Sequence, residues 1–373
     1  MDETNHKRIM EVIYAFDIGG SERLAAAIAE KISQYGESVS VCAINGDAGP
    51  IRTQLEKNNI PCYGIGGGKI SALTVRYRLY KLFKQVRPDV LHMHHITQLI
   101  NCYWPAKLAQ VPRLVVTEHA NYSIRTIKKL NRRARFYTPR ADALTVVHDG
   151  LKDYFVTEMD VPEKMITTIT NGVDTSIYLP GSASSDFKVA MDIPDDMTVL
   201  ACIGRLVEAK DHRNLLDAAK HMVDKGHTDF RLLVVGDGPY RQQLEGYATE
   251  QGINGNVLFL GARSDIVDIL HNTDICVLSS KREGFPMVLL EAMGCGVPCI
   301  STQVGGVFQL INGSNGRIVP PEDSVALAEA IIELYKDHAL MLSLGAAARD
   351  TVVEGYEIEN VLSSYQKILM DKS

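Results

Sequence analysis

The chain has 373 residues, more than one ordinary core holds, so two domains are expected. Hydrophobic residues make up 46% and charged residues 23%, and no apolar run approaches the roughly 18 residues needed to cross a bilayer, which argues for a globular protein that does not span one. The polar N-terminus lacks the apolar centre of a secretory signal, and the seven cysteines form no CxxC pair and read as buried reduced thiols, so the cytoplasm is the expected compartment.

Short apolar runs alternate with amphipathic helical patterns. Ile9–Phe16 reads as a first strand, followed by Asp17-Ile-Gly-Gly20 and a helix from Ser21 to Tyr35 with Ser21 as N-cap. Val39–Ile44 is a strand, Ile51–Asn58 and Ala72–Gln85 are helices, and Asp89–His92, Arg113–Thr117 and Ala143–Val147 are strands. The small polar run Gly181-Ser-Ala-Ser-Ser185 is the candidate linker, and the alternation restarts after it. Strands are expected at Thr198–Ile203, Arg231–Val235, Val257–Leu260, Ile275–Leu278 and Pro298–Ser301. Helices are expected at Asn214–Lys225, Tyr240–Gln251, Ile266–Leu270, Val288–Met293 and Ser324–Tyr335. Short strands separated by helices imply parallel sheets covered on both faces, hence two doubly wound, Rossmann-like α/β domains. Ligands of such sheets bind outside the carboxyl ends of the strands, where every motif below falls.

The net charge of −6 is uneven: residues 1–180 carry +5 and the remainder −11, so the halves are expected to meet different partners. In the first half, Gly19-Gly20 follows a strand and opens a helix. It reads either as a close backbone approach to an anion or as a tight turn. It is not GxGxxG, so the dinucleotide fingerprint is absent. His119 ends a strand and reads as a ligand-contacting or proton-transferring group, or as a structural histidine. His92, His94 and His95 end another strand. No carboxylate or cysteine spacing supports a metal there, so they read as cleft-lining histidines. The stretch 125–140 carries seven cations and no acid. Arg125, Lys128, Lys129, Arg132 and Arg133 form either a surface for anionic lipid or a lipid-diphosphate acceptor, or a solvated helix face. No nucleic-acid module accompanies them.

In the second half, Gly204-Arg205 ends a strand, and Lys210 follows five residues later. Arg205 can grip phosphate bidentately and Lys210 can act as a point charge, the alternative being two solvated cations. Gly236-Asp-Gly238 makes a sharp turn after another strand. Glu283-Gly284-Phe285-Pro286 leads into a helix carrying Glu291, eight residues beyond Glu283. Gly284 and Phe285 are expected to offer N–H groups at the helix start, and the carboxylates can accept from ribose or sugar hydroxyls. Gly305-Gly306 opens a further loop of the same wall. No Asp-x-Asp occurs, which argues against a metal-bound nucleotide sugar.

Taken together, Gly19-Gly20, Glu118-His119, Asn171-Gly-Val-Asp174, Gly204-Arg205 with Lys210, Gly236-Asp-Gly238 and Glu283-Gly-Phe-Pro…Glu291-Ala-Met resemble the retaining glycosyltransferases of family 4. The resemblance covers nearly the whole chain. It implies the GT-B fold, two Rossmann-like domains facing across a cleft: an N-terminal acceptor domain over 1–180, with 355–373 packing back on it, and a C-terminal nucleotide-sugar domain over 181–354. It implies that Arg205 and Lys210 hold the departing diphosphate, that Glu291 binds the ribose, and that Glu283 with Gly284 and Phe285 faces the donor sugar. His119 would line that sugar, Gly20 would sit near the phosphates, and Gly19, Gly204, Gly236, Gly238 and Pro286 would complete the donor site. No metal or cofactor is implied, because the nucleotide sugar, by family frequency a UDP-sugar, is a substrate. The acceptor would be a glycan or a lipid-linked intermediate, with peripheral contact to an anionic membrane. Another sugar-nucleotide activity such as a UDP-sugar 2-epimerase, a non-catalytic nucleotide-sugar-binding protein and a nicotinamide dehydrogenase are the competing readings.

Overall fold

The computed structural model describes residues 6–17, 19–66 and 70–371. The first five residues, Ile18 of the Asp17–Gly20 turn, residues 67–69 and the last two residues lie outside them. The chain divides into two compact units: the stretch up to Asn171 together with the stretch from Glu359 onward, and Gly172–Ile358.

The first unit holds β1 (Arg8–Ile13), β2 (Ser38–Ala43), β3 (Cys62–Gly64), β4 (Val90–His94), β5 (Arg113–Glu118), β6 (Ala143–Val146) and β7 (Ile166–Thr168). They form one sheet in the order β3-β2-β1-β4-β5-β6-β7, every pair parallel. The second unit holds β8 (Thr198–Ile203), β9 (Phe230–Val235), β10 (Val257–Gly261), β11 (Ile275–Leu278), β12 (Cys299–Thr302) and β13 (Gly316–Val319), in the order β10-β9-β8-β11-β12-β13, again all parallel. Parallel neighbours need crossovers, and helices supply them, so central strands such as β4 and β11 are buried on both faces. In β8 and β9, Leu200, Cys202, Leu232 and Val234 enter one core with the helices His212–Asp224, Arg241–Glu250 and Ser324–Lys336. The alternate residues Val199, Ala201, Leu233 and Val235 enter the core on the other face.

Each sheet reverses its winding once, between β1 and β4 and between β8 and β11. At such a switch point the two crossovers leave on opposite faces and open a crevice outside the strand ends. Gly19-Gly20 and His95 follow β1 and β4; Gly204-Arg205 and Ser279–Glu283 follow β8 and β11.

Several local expectations are corrected. Ser21 is not the N-cap: the helix runs Gly20–Gln34 with Gly19 as its cap. The helix before Glu291 begins at Met287 with Pro286 as cap, so Gly284 and Phe285 precede it. Segment 172–180 is bonded into the second unit. Val173 pairs with Glu357, the Thr175 hydroxyl donates to Glu357, and Arg349 donates to the carbonyls of Thr175 and Tyr178. The last helix, Ile358–Met370, lies on the first sheet. Its Tyr365 is fully buried 5.6 Å from His92, and Arg113 donates to the Ile368 carbonyl.

Candidate active site

In the second unit, β8 delivers Gly204-Arg205 to the switch point, where Arg205 stands exposed. Lys210 follows in the short turn Glu208–Lys210 and β11 delivers Ser279–Glu283. Lys210 Nζ meets Glu283 Oε1 at 2.6 Å, and Ser280 Oγ donates to the same oxygen at 2.5 Å. The pair is mostly buried, with 23% of the Lys210 side chain and 11% of that of Glu283 exposed. The two loops are laced together. The backbone N–H groups of Lys281 and Arg282 donate to the Ala209 carbonyl, and Ser279 Oγ donates to that of Lys210. Lys210 and Glu283, which the resemblance gives to phosphate and to sugar hydroxyls, therefore hold each other; Arg205 stands outside that ion pair. Glu291 is buried on the helix Met287–Gly294. Phe285 is buried with its ring 5.7 Å from that of Tyr356.

The glycines of this site have a packing reason to be glycine. Gly236 has φ 137°, and a Cβ there would lie 2.0 Å from the Gly204 carbonyl oxygen. At Gly238 a Cβ would lie 2.4 Å from the Leu206 carbonyl oxygen. The turn after β9 thus presses directly on Gly204-Arg205. Gly305, with φ 52°, packs in the same way on Gly284, whose carbonyl accepts from Gly306 N–H. A cavity of about 530 Å³ on the flank of this loop is lined by Glu208, Asp211, Arg213, Tyr240 and Lys281 among others. Arg205, Lys210, Glu283 and Glu291 do not line it.

In the first unit, β1 and β4 pair with Glu11 opposite His92, and β4 and β5 pair with His94 opposite Thr117. Strand alternation puts His92 and His94 on one face with Glu11 and Thr117. Glu11 Oε2 lies 2.9 Å from His94 Nε2, and His94 Nδ1 lies 3.2 Å from His119 Nε2. His92 Nε2 meets the Thr117 hydroxyl at 2.7 Å. Its Nδ1 is 2.7 Å from Glu11 Oε2 but is not aligned as a hydrogen bond, and Glu11 Oε1 has no partner. Burial pushes the Glu11 carboxyl up, opposed by His94. Burial lowers His92 to about 3 and His94 to about 4. It also holds His119 well below the ordinary range, helped by the neighbouring His95, His94 and His92.

His95 sits at the end of β4 in a left-handed conformation, φ 78°, that is rare for a residue with a side chain. Its Nδ1 lies 2.7 Å from Glu118 Oε1, and its Nε2 lies 3.3 Å from Ser21 Oγ in the first turn of the helix Gly20–Gln34. Burial pulls its pKa down, but Glu118 more than offsets this and the net shift is upward. Glu118 also accepts from the backbone N–H groups of Ile96, His119 and Ala120, so it organises both strand ends at once. The first-unit candidates His119, Gly20 and His95 thus share one switch point.

Glu11, His92 and His94 each offer a ligand atom within 4.8 Å of the others. Sequence spacing offered these histidines no carboxylate; the adjacent strand brings Glu11 to them. The contacts of 2.7 and 2.9 Å to one carboxylate oxygen are shorter than the roughly 3.3 Å between ligands of a tetrahedral zinc with bonds of about 2.0–2.1 Å. The trio is packed as a hydrogen-bonded cluster. Glu11 was a legible signal, an acid in the middle of an apolar strand; Tyr365 carried none.

The basic stretch breaks at Ile127 into two helices, Tyr122–Thr126 and Lys128–Tyr137. Arg125 pairs with Glu158 at 2.6 Å and lies over the Tyr154 ring, and Arg135 pairs with Asp160. Lys128, Lys129 and Arg132 are exposed and Arg133 is half-buried. Tyr122 and Phe136 on these helices and Ile127 between them are exposed, as are Trp104 and Leu108 on the helix Ile96–Ala109. Among the described residues no helix is long and apolar enough to cross a membrane.

Two family profiles divide the chain between them: Glycosyltransferase Family 4 matches residues 18–177 and Glycosyl transferases group 1 matches residues 184–351. The chain is 27% identical over 366 residues to the N-acetyl-alpha-D-glucosaminyl L-malate synthase of Bacillus anthracis, covering 95% of this chain and 94% of that protein. It is 28% identical over 302 residues to the UDP-Gal:alpha-D-GlcNAc-diphosphoundecaprenol alpha-1,3-galactosyltransferase of Escherichia coli, covering 79% and 78%. Among solved structures, Anabaena HepE in complex with UDP-glucose superposes with a TM-score of 0.87 at 22% identity, covering 98% of this chain and 99% of that one.

Proposed function

Because the chain belongs to the family 4 glycosyltransferases and has the GT-B fold, we propose that it moves a sugar from a UDP-sugar to a glycan or lipid-linked acceptor, with retention and without a metal. The observation that carries this reading is the Lys210–Glu283 contact at the β8/β11 switch point, with Arg205 beside it at the same strand end. A diphosphate leaving group gains negative charge as the glycosidic bond breaks. Fixed cations at that point stabilise the transition state more than the ground state. Arg205 and Lys210 fill this role, Glu283 orients Lys210 and accepts from sugar hydroxyls, and Glu291 accepts from the ribose. The acceptor hydroxyl attacks on the face from which the diphosphate leaves, and a leaving-group oxygen takes its proton. His119 contacts a ligand hydroxyl from the first unit.

UDP is supported by the UDP-Gal named for the Escherichia coli relative and by the UDP-glucose complex of HepE. A thermal-shift series with UDP-, GDP- and ADP-sugars tests the donor, since a ligand bound to the native state raises its melting temperature. Stabilisation by UDP-sugars alone is expected, and no shift with any nucleotide sugar sinks the donor assignment. Product anomer configuration by NMR checks retention, and unchanged turnover in EDTA checks metal independence. Exposed Lys128, Lys129 and Arg132 beside Ile127 and Phe136 favour peripheral contact with an anionic membrane.

A further inference from the structure

We infer that Glu11, acting through His94, fixes which nitrogen of His119 carries the proton, a positioning role that rests on reading His119 as a ligand-contacting residue. The three side chains form one line: Glu11 Oε2 to His94 Nε2 at 2.9 Å, then His94 Nδ1 to His119 Nε2 at 3.2 Å. His94 opposes the burial that raises Glu11, and with Glu11 ionised the carboxylate only accepts, so His94 carries its proton on Nε2. A neutral imidazole has one N–H, so His94 Nδ1 is a lone pair and accepts from His119 Nε2–H. The remaining nitrogen of His119, Nδ1, is then bare. His119 therefore accepts a hydrogen bond from a ligand hydroxyl and does not donate one. The groups around it agree. His94 and the Glu118-paired His95 ring, whose centroid is 4.8 Å away, both disfavour a second proton on His119.

The unpaired Oε1 of Glu11 points the same way. Glu11 and His94 are 0% and 1% exposed. A buried carboxylate with one oxygen unsatisfied costs stability that an apolar strand residue would not. Its one aligned contact is His94. A buried carboxylate in hydrogen-bonding line with His94, its 2.7 Å approach to His92 Nδ1 being off line, is placed for what His94 does. Free imidazole tautomers lie close in energy, so without Glu11 the His119 ring would present a mixture of donor and acceptor.

The test is histidine-selective 15N labelling of the full chain and long-range proton–nitrogen NMR at pH 7.5, which reads tautomers directly. Both His94 and His119 are expected as neutral Nε2–H forms. A His119 that is Nδ1–H or doubly protonated overturns the relay, and this needs no variant. In Glu11→Leu, His119 is expected to lose its single tautomer and kcat to fall at least about tenfold, while the melting temperature moves by only a few degrees. Persistence of the Nε2–H form alone in that variant also overturns the relay. His119→Ala separates the two ideas: full transfer activity there removes the ligand role of His119, while the wild-type tautomers still report on the relay.

Discussion

Replacing Lys210 by Met removes one charge from two jobs. The free protein uses Lys210 Nζ, 2.6 Å from Glu283 Oε1, to balance a carboxylate that is only 11% exposed. Breaking a fully buried pair costs about 3–5 kcal/mol because the surviving charge is stranded. Here 23% of the lysine side chain reaches solvent and Ser280 still donates to Glu283, so about 2 kcal/mol is the better figure. For a unit spanning Gly172–Ile358 that lowers the melting temperature by roughly 4–8 °C. The second job, on the proposed mechanism, is offsetting charge on the departing diphosphate, and its loss would be worth about 100–1000-fold in kcat. Adding Glu283→Gln separates the two. The double variant has no stranded charge, so its stability recovers, while its turnover stays low. Melting curves and initial rates at saturating donor suffice for the test. If the double variant regains rate along with melting temperature, Lys210 worked only by neutralising Glu283, and the leaving-group role is wrong.

Glu291→Ala is expected to raise the donor KM about 10–100-fold with kcat nearly unchanged, because ribose contacts are made equally in ground and transition states; a pure kcat effect would contradict it. His92 titrates near 6.5 in an unfolded chain but only at about 3 when buried, so the unfolded state binds more protons between those values and stability falls as the pH drops through that window. His94, lowered to about 4, adds to the slope, and Glu11, raised, opposes it near its own titration. His92→Asn should remove up to about 1.4 kcal/mol per pH unit from the acid side of the stability profile, and an unaltered profile would count against a neutral His92. Neutralising two exposed cations, Lys129→Gln with Arg132→Gln, should weaken co-sedimentation with anionic vesicles by roughly 30-fold at low salt, and wild-type protein that stays in the supernatant sinks membrane contact altogether.

Strands whose apolar runs are sharply bounded could be read residue for residue, as at Thr198–Ile203 and Ile275–Leu278. The helix Ile96–Ala109 was not legible, because it is apolar on most sides and carries Pro105. Nor were β3 and β13, which are too short to show a period and are held by their neighbours. The helix His338–Gly355, rich in alanine and leucine, lacks the polar face that marks an amphipathic segment. At the candidate site, residue types were readable and partnerships were not. Lys210 and Glu283 are 73 positions apart, and only the adjacency of β8 and β11 brings them together. Glu11 and His94 are 83 apart and meet through the β1–β4 pairing.

The first unit borrows its last helix from the far end of the chain, and Tyr365 from that helix fills a fully buried place beside His92. Gly172–Ile358 is synthesised in full before that tyrosine is added. The amino-terminal half, although synthesised first, is completed last, and until then its sheet exposes the polar cluster that Tyr365 covers. A stop codon ahead of Tyr365 would therefore injure the amino-terminal unit, far in sequence from the lesion.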